Sequence, residues 1–230
     1  MGPLVPIVVI AASLTLKSDT KPVPVKVNKP RGTLYWGGAG LDGPYVKPQL
    51  DMFMKAGIQH CYVGKTNSAT QSIGDYGMFI DALQAGINIR YIDNSGEWRL
   101  AGMDKPSEQF NLIGYSYGSL LAAQTANYYA KNGNIVNHLV LLGSPIDADF
   151  LKELKANKNI KKIIVIDLIQ YGDPIYAGIT QTELIMGAKT LGDQMKNNKA
   201  EGHFYYAHVV ADSPKRWEAL ANRLYAEGLR

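Results

Sequence analysis

What most restricts the fold of this chain is an alternation of two kinds of segment. Apolar runs of strand length, "GTLYW", "IQHCYVG", "INIRYID", "EQFNLIGYS", "VNHLVLLGS" and "KKIIVIDLI", are separated by stretches whose apolar residues recur at helical spacing. Those stretches include "VKPQLDMFMKAG", "IGDYGMFIDALQAG" and "YGSLLAAQTANYYAKNG", and "PKRWEALANRLYAEGL" closes the chain. Strands alternating with helices predict an α/β domain with a mostly parallel central sheet flanked by helices. The unbroken stretches "HLVLL" and "IIVI" fit strands covered on both faces. Chemistry on such a sheet collects at the carboxyl ends of the strands, so the residues just after each strand decide function.

Composition narrows the field. With 230 residues, 46% apolar and 19% charged, the chain can bury one core without staples and is not expected to be disordered. The catalytic-type pattern occupies residues 32–230; residues 1–31 read as a separate N-terminal strand and extended segment. Residues 4–16 form an apolar run too short for a membrane span, which needs roughly 20 residues, and no Lys or Arg precedes it as in a signal peptide. The chain is therefore expected to be cytoplasmic, or exported without a recognisable signal. Cys61 is the sole cysteine, so no intrachain disulfide forms. The net charge of +4 comes with lysines interspersed among asparagines and no basic-aromatic motif, so nucleic acid is not an expected partner.

After the strand "EQFNLIG" stands Gly114-Tyr115-Ser116-Tyr117-Gly118, a G-x-S-x-G match between a strand and a helix. That context needs a serine on a tight, strained turn, with glycines letting strand and helix pack closely. A serine hydroxyl also needs a base and an orienting acid. Of four histidines, His60 and His138 lie in strand patterns. His203, in the loop signal "EGHFYY", is the favoured base, with His208 the alternative. Asp173, in a Gly-Asp-Pro turn after an apolar run, is the favoured acid, with Asp147 the alternative; Asp167 sits inside the run. The order Ser116, Asp173, His203 is that of a hydrolase of this architecture.

Other readings of the motifs make demands that the residues do not meet. Gly38-x-Gly40-x-x-Gly43 has dinucleotide-binding spacing, but the next strand ends at Lys65 without the ribose-binding acid. "VGKT" lacks the earlier glycine of a phosphate loop, Gln59 standing in its place. No H-E-x-x-H or cysteine cluster suggests a metal site, and no cofactor is expected.

Together "GYSYGS", "YGDP" and "GHF", in that order, resemble the α/β-hydrolases, and "LVLLGSP" resembles the strand-end "LGTP" of bacterial lipases in that superfamily. The resemblance runs from about residue 32 to the end and implies a single α/β-hydrolase-like domain with a small cap or none. It implies acyl transfer in two steps, with Ser116 attacking an ester-like carbonyl and His203 carrying the proton. It also implies an oxyanion hole made by the backbone N–H of Tyr117 and one from the glycine loop, Gly38 or Ala39. The compact Gly-Gly-Ala-Gly loop is similar to that of lipase effectors exported by bacteria.

Aromatic and apolar residues at the strand ends, chiefly Trp36, Tyr115, Ile146, Ile175 and Phe204, are expected to contact substrate. Tyrosines over an apolar floor suit an acyl chain with a polar head. The reading is a lipase or phospholipase with transient membrane-surface contact; the alternatives are a small carboxylesterase or thioesterase, or a non-catalytic binding protein. Residues 175–202 are the longest inter-element stretch and are expected to form one or two lid-like helices.

Overall fold

The computed structural model describes residues 31–38, 43–63 and 108–230. Within them lie five strands and five α-helices, in the order β1 (Gly32–Trp36), α1 (Val46–Lys55), β2 (Cys61–Val63), β3 (Phe110–Tyr115), α2 (Tyr117–Lys131), β4 (Val136–Leu142), α3 (Ala148–Ala156), β5 (Ile160–Ile166), α4 (Gln181–Asn197) and α5 (Ser213–Ala226). The strands form one sheet in the order β2-β1-β3-β4-β5, every neighbouring pair parallel. The strands and helices expected over 4–16, 21–30, 73–86 and 87–93 lie outside the described residues.

Strand alternation builds the two faces. Leu34, Trp36, Leu112, Leu139 and Leu141 pack with α2 and α3, while Tyr35, Ile113, Tyr115, Val140 and Leu142 pack with α1 and α5. The unbroken apolar runs are thus buried on both sides, and the sheet is the middle of three layers. Helix α1 ends as its glycine implies. Gly57 takes φ +101°, its N–H bonds to Met54 O, and the N–H of Ile58 bonds to Phe53 O.

Two elements differ from the sequence reading. Helix α3 is absent from the expected series, because lysines obscured its apolar stripe of Phe150, Leu151 and Leu154. Its start is marked by Asp147, whose carboxylate accepts the N–H of Phe150 at 2.8 Å. Strand β2 is shorter than "IQHCYVG", and His60 lies just before it at φ +53°.

Register brings the strand ends level. Trp36 pairs with Gly114, Tyr115 with Leu142, and Leu142 with Ile166. Between β1 and β3 the winding reverses, one neighbour of β1 preceding β3 in sequence and the other being β3 itself. The crevice at such a reversal is where an α/β sheet places its ligands. Gly37 and Gly38 emerge on one side of it and Ser116 on the other.

Candidate active site

Ser116 sits between β3 and α2 at φ 54°, ψ −125°, a conformation that costs a non-glycine residue on the order of 1–3 kcal/mol. The surroundings hold it there. Its N–H donates to Leu142 O at 2.8 Å, and its carbonyl accepts from the Ser119 N–H at 3.0 Å and from the Ser119 hydroxyl. The Ser119 hydroxyl lies 2.6 Å from that of Ser144, which in turn accepts the Ile146 N–H at 3.3 Å.

The flanking glycines are sterically required. A Cβ on Gly114 would overlap the backbone of Gly118 and Ser119, and one on Gly118 would overlap the carbonyl oxygens of Trp36 and Gly37. Strand, helix and the loop after β1 therefore meet as bare backbone around the serine.

The Ser116 side chain is half-buried, and its Oγ lies 2.6 Å from Nε2 of His203. Nδ1 of that imidazole lies 2.9 Å from Oδ2 of Asp173. A carboxylate only accepts, so Nδ1 carries the proton and Nε2 presents its lone pair to the serine hydroxyl. The Asp173 side chain is wholly buried, and its other oxygen accepts the Ile175 N–H at 2.8 Å across Pro174, which has no N–H to give. A hydroxyl on an accessible strained turn, beside an imidazole oriented by a buried carboxylate, can pass its proton to nitrogen as it attacks an electrophile.

The alternatives lie elsewhere. Asp147 caps α3. His208 stacks on Phe204, ring centroids 4.6 Å apart, while Phe204 meets His203 edge-on at 5.5 Å. Burial lowers the pKa of His208, as it does that of His138, whose Nδ1 lies 2.8 Å from Asn111 Oδ1. Burial pushes the Cys61 thiol up to about 12, which keeps it from being a rival nucleophile.

The other nominated residues divide. Trp36, Ile146 and Ile175 are packed in core clusters with at most 1% exposure, a correction to the expectation that they line a substrate site. Tyr115 is buried as well. Its ring stacks on the His203 imidazole at 5.7 Å and its hydroxyl donates to the His203 carbonyl, so it touches the base rather than open space. Burial, with Tyr45, Asp173 and Tyr206 adding to it, raises that phenol well above its ordinary range and keeps it a donor. Only Phe204 of the five is partly exposed. The Gly38 N–H donates to the Tyr45 hydroxyl at 2.6 Å, Ala39 is outside the described residues, and Tyr117 opens α2.

Sequence reasoning missed Gln194. Its amide oxygen accepts the His203 N–H at 2.9 Å and its amide nitrogen donates to Gly172 O at 2.8 Å. A glutamine within an amphipathic helix carries no local signal of this.

Residues 96–174 match a family model described as alpha/beta hydrolase; the matched segment holds Ser116 and Asp173 and ends before His203. No curated protein and no solved structure matches the chain.

Proposed function

We propose that this chain is a hydrolase of the α/β-hydrolase superfamily and, within it, a serine ester hydrolase acting through Ser116, His203 and Asp173 on acyl-chain substrates as a lipase or phospholipase. The observation that carries the reading is the contact of Ser116 Oγ with His203 Nε2 at 2.6 Å, on a strained strand-to-helix turn.

In this reading Ser116 Oγ attacks the ester carbonyl carbon and His203 Nε2 takes the hydroxyl proton. Asp173 keeps the imidazole in the tautomer with the proton on Nδ1 and stabilises the imidazolium. The oxyanion is met by the Tyr117 N–H and a donor from the loop after β1, Ala39, or Gly38 if its N–H exchanges the Tyr45 hydroxyl for the oxyanion; each such donor is worth roughly 3 kcal/mol of barrier. His203 returns its proton to the leaving alkoxide. Water, deprotonated by the same nitrogen, then releases the acid.

The acyl-chain preference is supported by apolar side chains on the segments that carry the acid and the following helix. Ile169 and Tyr171 are exposed just before Asp173, and Ile185 and Met186 are exposed on α4. The same residues support transient contact with a lipid surface.

The test is hydrolysis of p-nitrophenyl esters from acetyl to palmitoyl, with Ser116→Ala as control. Activity that disappears in the variant is expected, with an optimum at medium or long chains. An acetyl optimum would make the enzyme a small carboxylesterase. Inertness to every ester and to a fluorophosphonate would overturn the reading.

A further inference from the structure

We infer that Gln194 is a positioning residue, holding the acid-bearing and base-bearing loops in register so that α4 works as a fixed brace rather than a lid. The inference rests on the proposed roles of Ser116, His203 and Asp173. Asp173 and His203 lie on loops 30 residues apart in sequence, yet their contact has to be held to within a hydrogen-bond length. Gln194 is the one side chain described that bonds to the backbone beside both of them.

Its chemistry fixes its orientation. The His203 N–H requires an acceptor and the Gly172 carbonyl requires a donor, and the primary amide of Gln194 offers both at one carbon without depending on protonation. Gln194 is 8% exposed. The backbone is shaped to receive it. Gly202, just before His203, takes φ +55°, and a Cβ there would collide with the Gln194 amide.

Helix α4 is seated for this task. Leu184 and Leu191 pack with Ile175 and Ile179, and Gly187 lies against Pro174, directly after the acid. A second tie joins the same loops, the stacked rings of Tyr171 and Tyr205 with centroids 3.6 Å apart. The ring pair ties side chain to side chain, whereas the amide grips the backbone beside both the acid and the base through two directed bonds. A helix swinging away as a lid would have to break both of them, and with them the support of the acid–base pair.

The test uses the full chain with Gln194→Met, which keeps the volume and loses both bonds, and Gln194→Glu, read at a pH where its carboxylate is ionised and keeps only the acceptor. Two readings are taken: the far-downfield proton resonance of a histidine N–H held by a carboxylate, and kcat and KM on the best ester. The wild-type chain should show the resonance. In folded Gln194→Met it should vanish or broaden, and kcat should fall roughly 100-fold with KM within about twofold. Gln194→Glu should recover roughly tenfold of that loss, because the His203 N–H regains its partner.

An unchanged resonance and kcat in Gln194→Met, or a change confined to Tm, would overturn the inference. So would a wild-type chain without the resonance. Should Gln194→Met not fold, Gln194→Glu decides by the same readings; failure of both to fold makes the residue part of the scaffold and also overturns it. A resonance present in wild type and lost in Gln194→Met, with every ester and the fluorophosphonate unreacted, would uphold the brace while refuting the proposed activity.

Discussion

The turn that carries Ser116 and the pair of loops that carry Asp173 and His203 are built by opposite means. The turn is five consecutive residues, and backbone does nearly all the work: two glycines without room for a Cβ, one positive φ, and a hydrogen bond to β4. The loop pair draws on three separated stretches and reaches back to the turn through Tyr115, and side chains do the work. Asp173, Gln194, His203 and Tyr115 are linked by hydrogen bonds that no local spacing dictates. The first arrangement is set by the absence of bulk at its two glycines; the second is set by the identity of the side chains that bridge it. Each can be attacked by the kind of substitution to which it alone is sensitive.

The largest effect is expected from Ser116→Ala, a side-chain change within the backbone-built turn. Turnover should fall by about 10⁴-fold or more with Tm nearly unchanged, since the removed oxygen supports chemistry and not the turn. Adding His203→Ala should cost little further, because the two act as a unit; kinetics of the double variant check this. Asp173→Asn comes next, at about 10⁴-fold in kcat. An amide can donate where the carboxylate only accepted, which turns the imidazole to the wrong tautomer. If Asp173→Asn left kcat within tenfold, the loop pair would not be the acid–base apparatus proposed here.

Gly118→Ala breaks the other side of the comparison. Its methyl would press on the carbonyls of Trp36 and Gly37, moving the loop after β1 away from Ser116. Overpacking of this kind costs on the order of 1–3 kcal/mol, so both Tm and kcat should drop together. A drop in kcat alone would mean that the turn absorbs the bulk without strain. Tyr115→Phe is milder. It keeps the ring stacked on His203 and removes one donor to the His203 carbonyl, at a cost of about 1 kcal/mol in stability. Thermal unfolding and kcat on the same ester should show a few-fold loss of rate.

This division explains what was legible in the sequence. Short spacing carries backbone geometry, so the strand-turn-helix at Ser116, the glycine stop of α1 and the parallel sheet could be read directly. The turn signals around Asp173 and His203 point to them, and the folded chain has His203 beside Ser116 and Asp173 beside His203. Contacts made across the fold left no such trace. Gln194 looks like any polar residue of a surface helix, and Asp147 looked like a second acid although it caps a helix that lysines hid. Trp36, Ile146 and Ile175 follow strands or turns, but the α2–α3 layer closes over the first two and α4 over the third. Proximity to a strand end predicts the neighbourhood of a site, whereas burial depends on what the rest of the chain brings there.

The smallest expected effect concerns His208, and it bears on why one histidine of a near-adjacent pair serves as base. His203 and His208 lie against the same ring, Phe204, yet only His203 has a carboxylate partner. His208 Nδ1 is buried with no hydrogen-bond partner among the described residues. Burial lowers its pKa below the ordinary value of about 6.5, so the folded state holds the neutral ring and the unfolded state binds the proton first. Stability from this source is complete above the unfolded value and declines as pH falls through it toward the folded one. His138 adds in the same direction, through burial first and then the cations Lys162 and Arg230, with Glu227 opposing. His208→Phe preserves the stack on Phe204 and removes the group that must charge. Its Tm should match wild type near pH 8 and exceed it slightly, by a growing margin, as pH is lowered to 5, while kcat at pH 8 stays within about twofold. A loss of turnover comparable with that of His203→Ala would transfer the base to His208 and make the Asp173 contact a structural one.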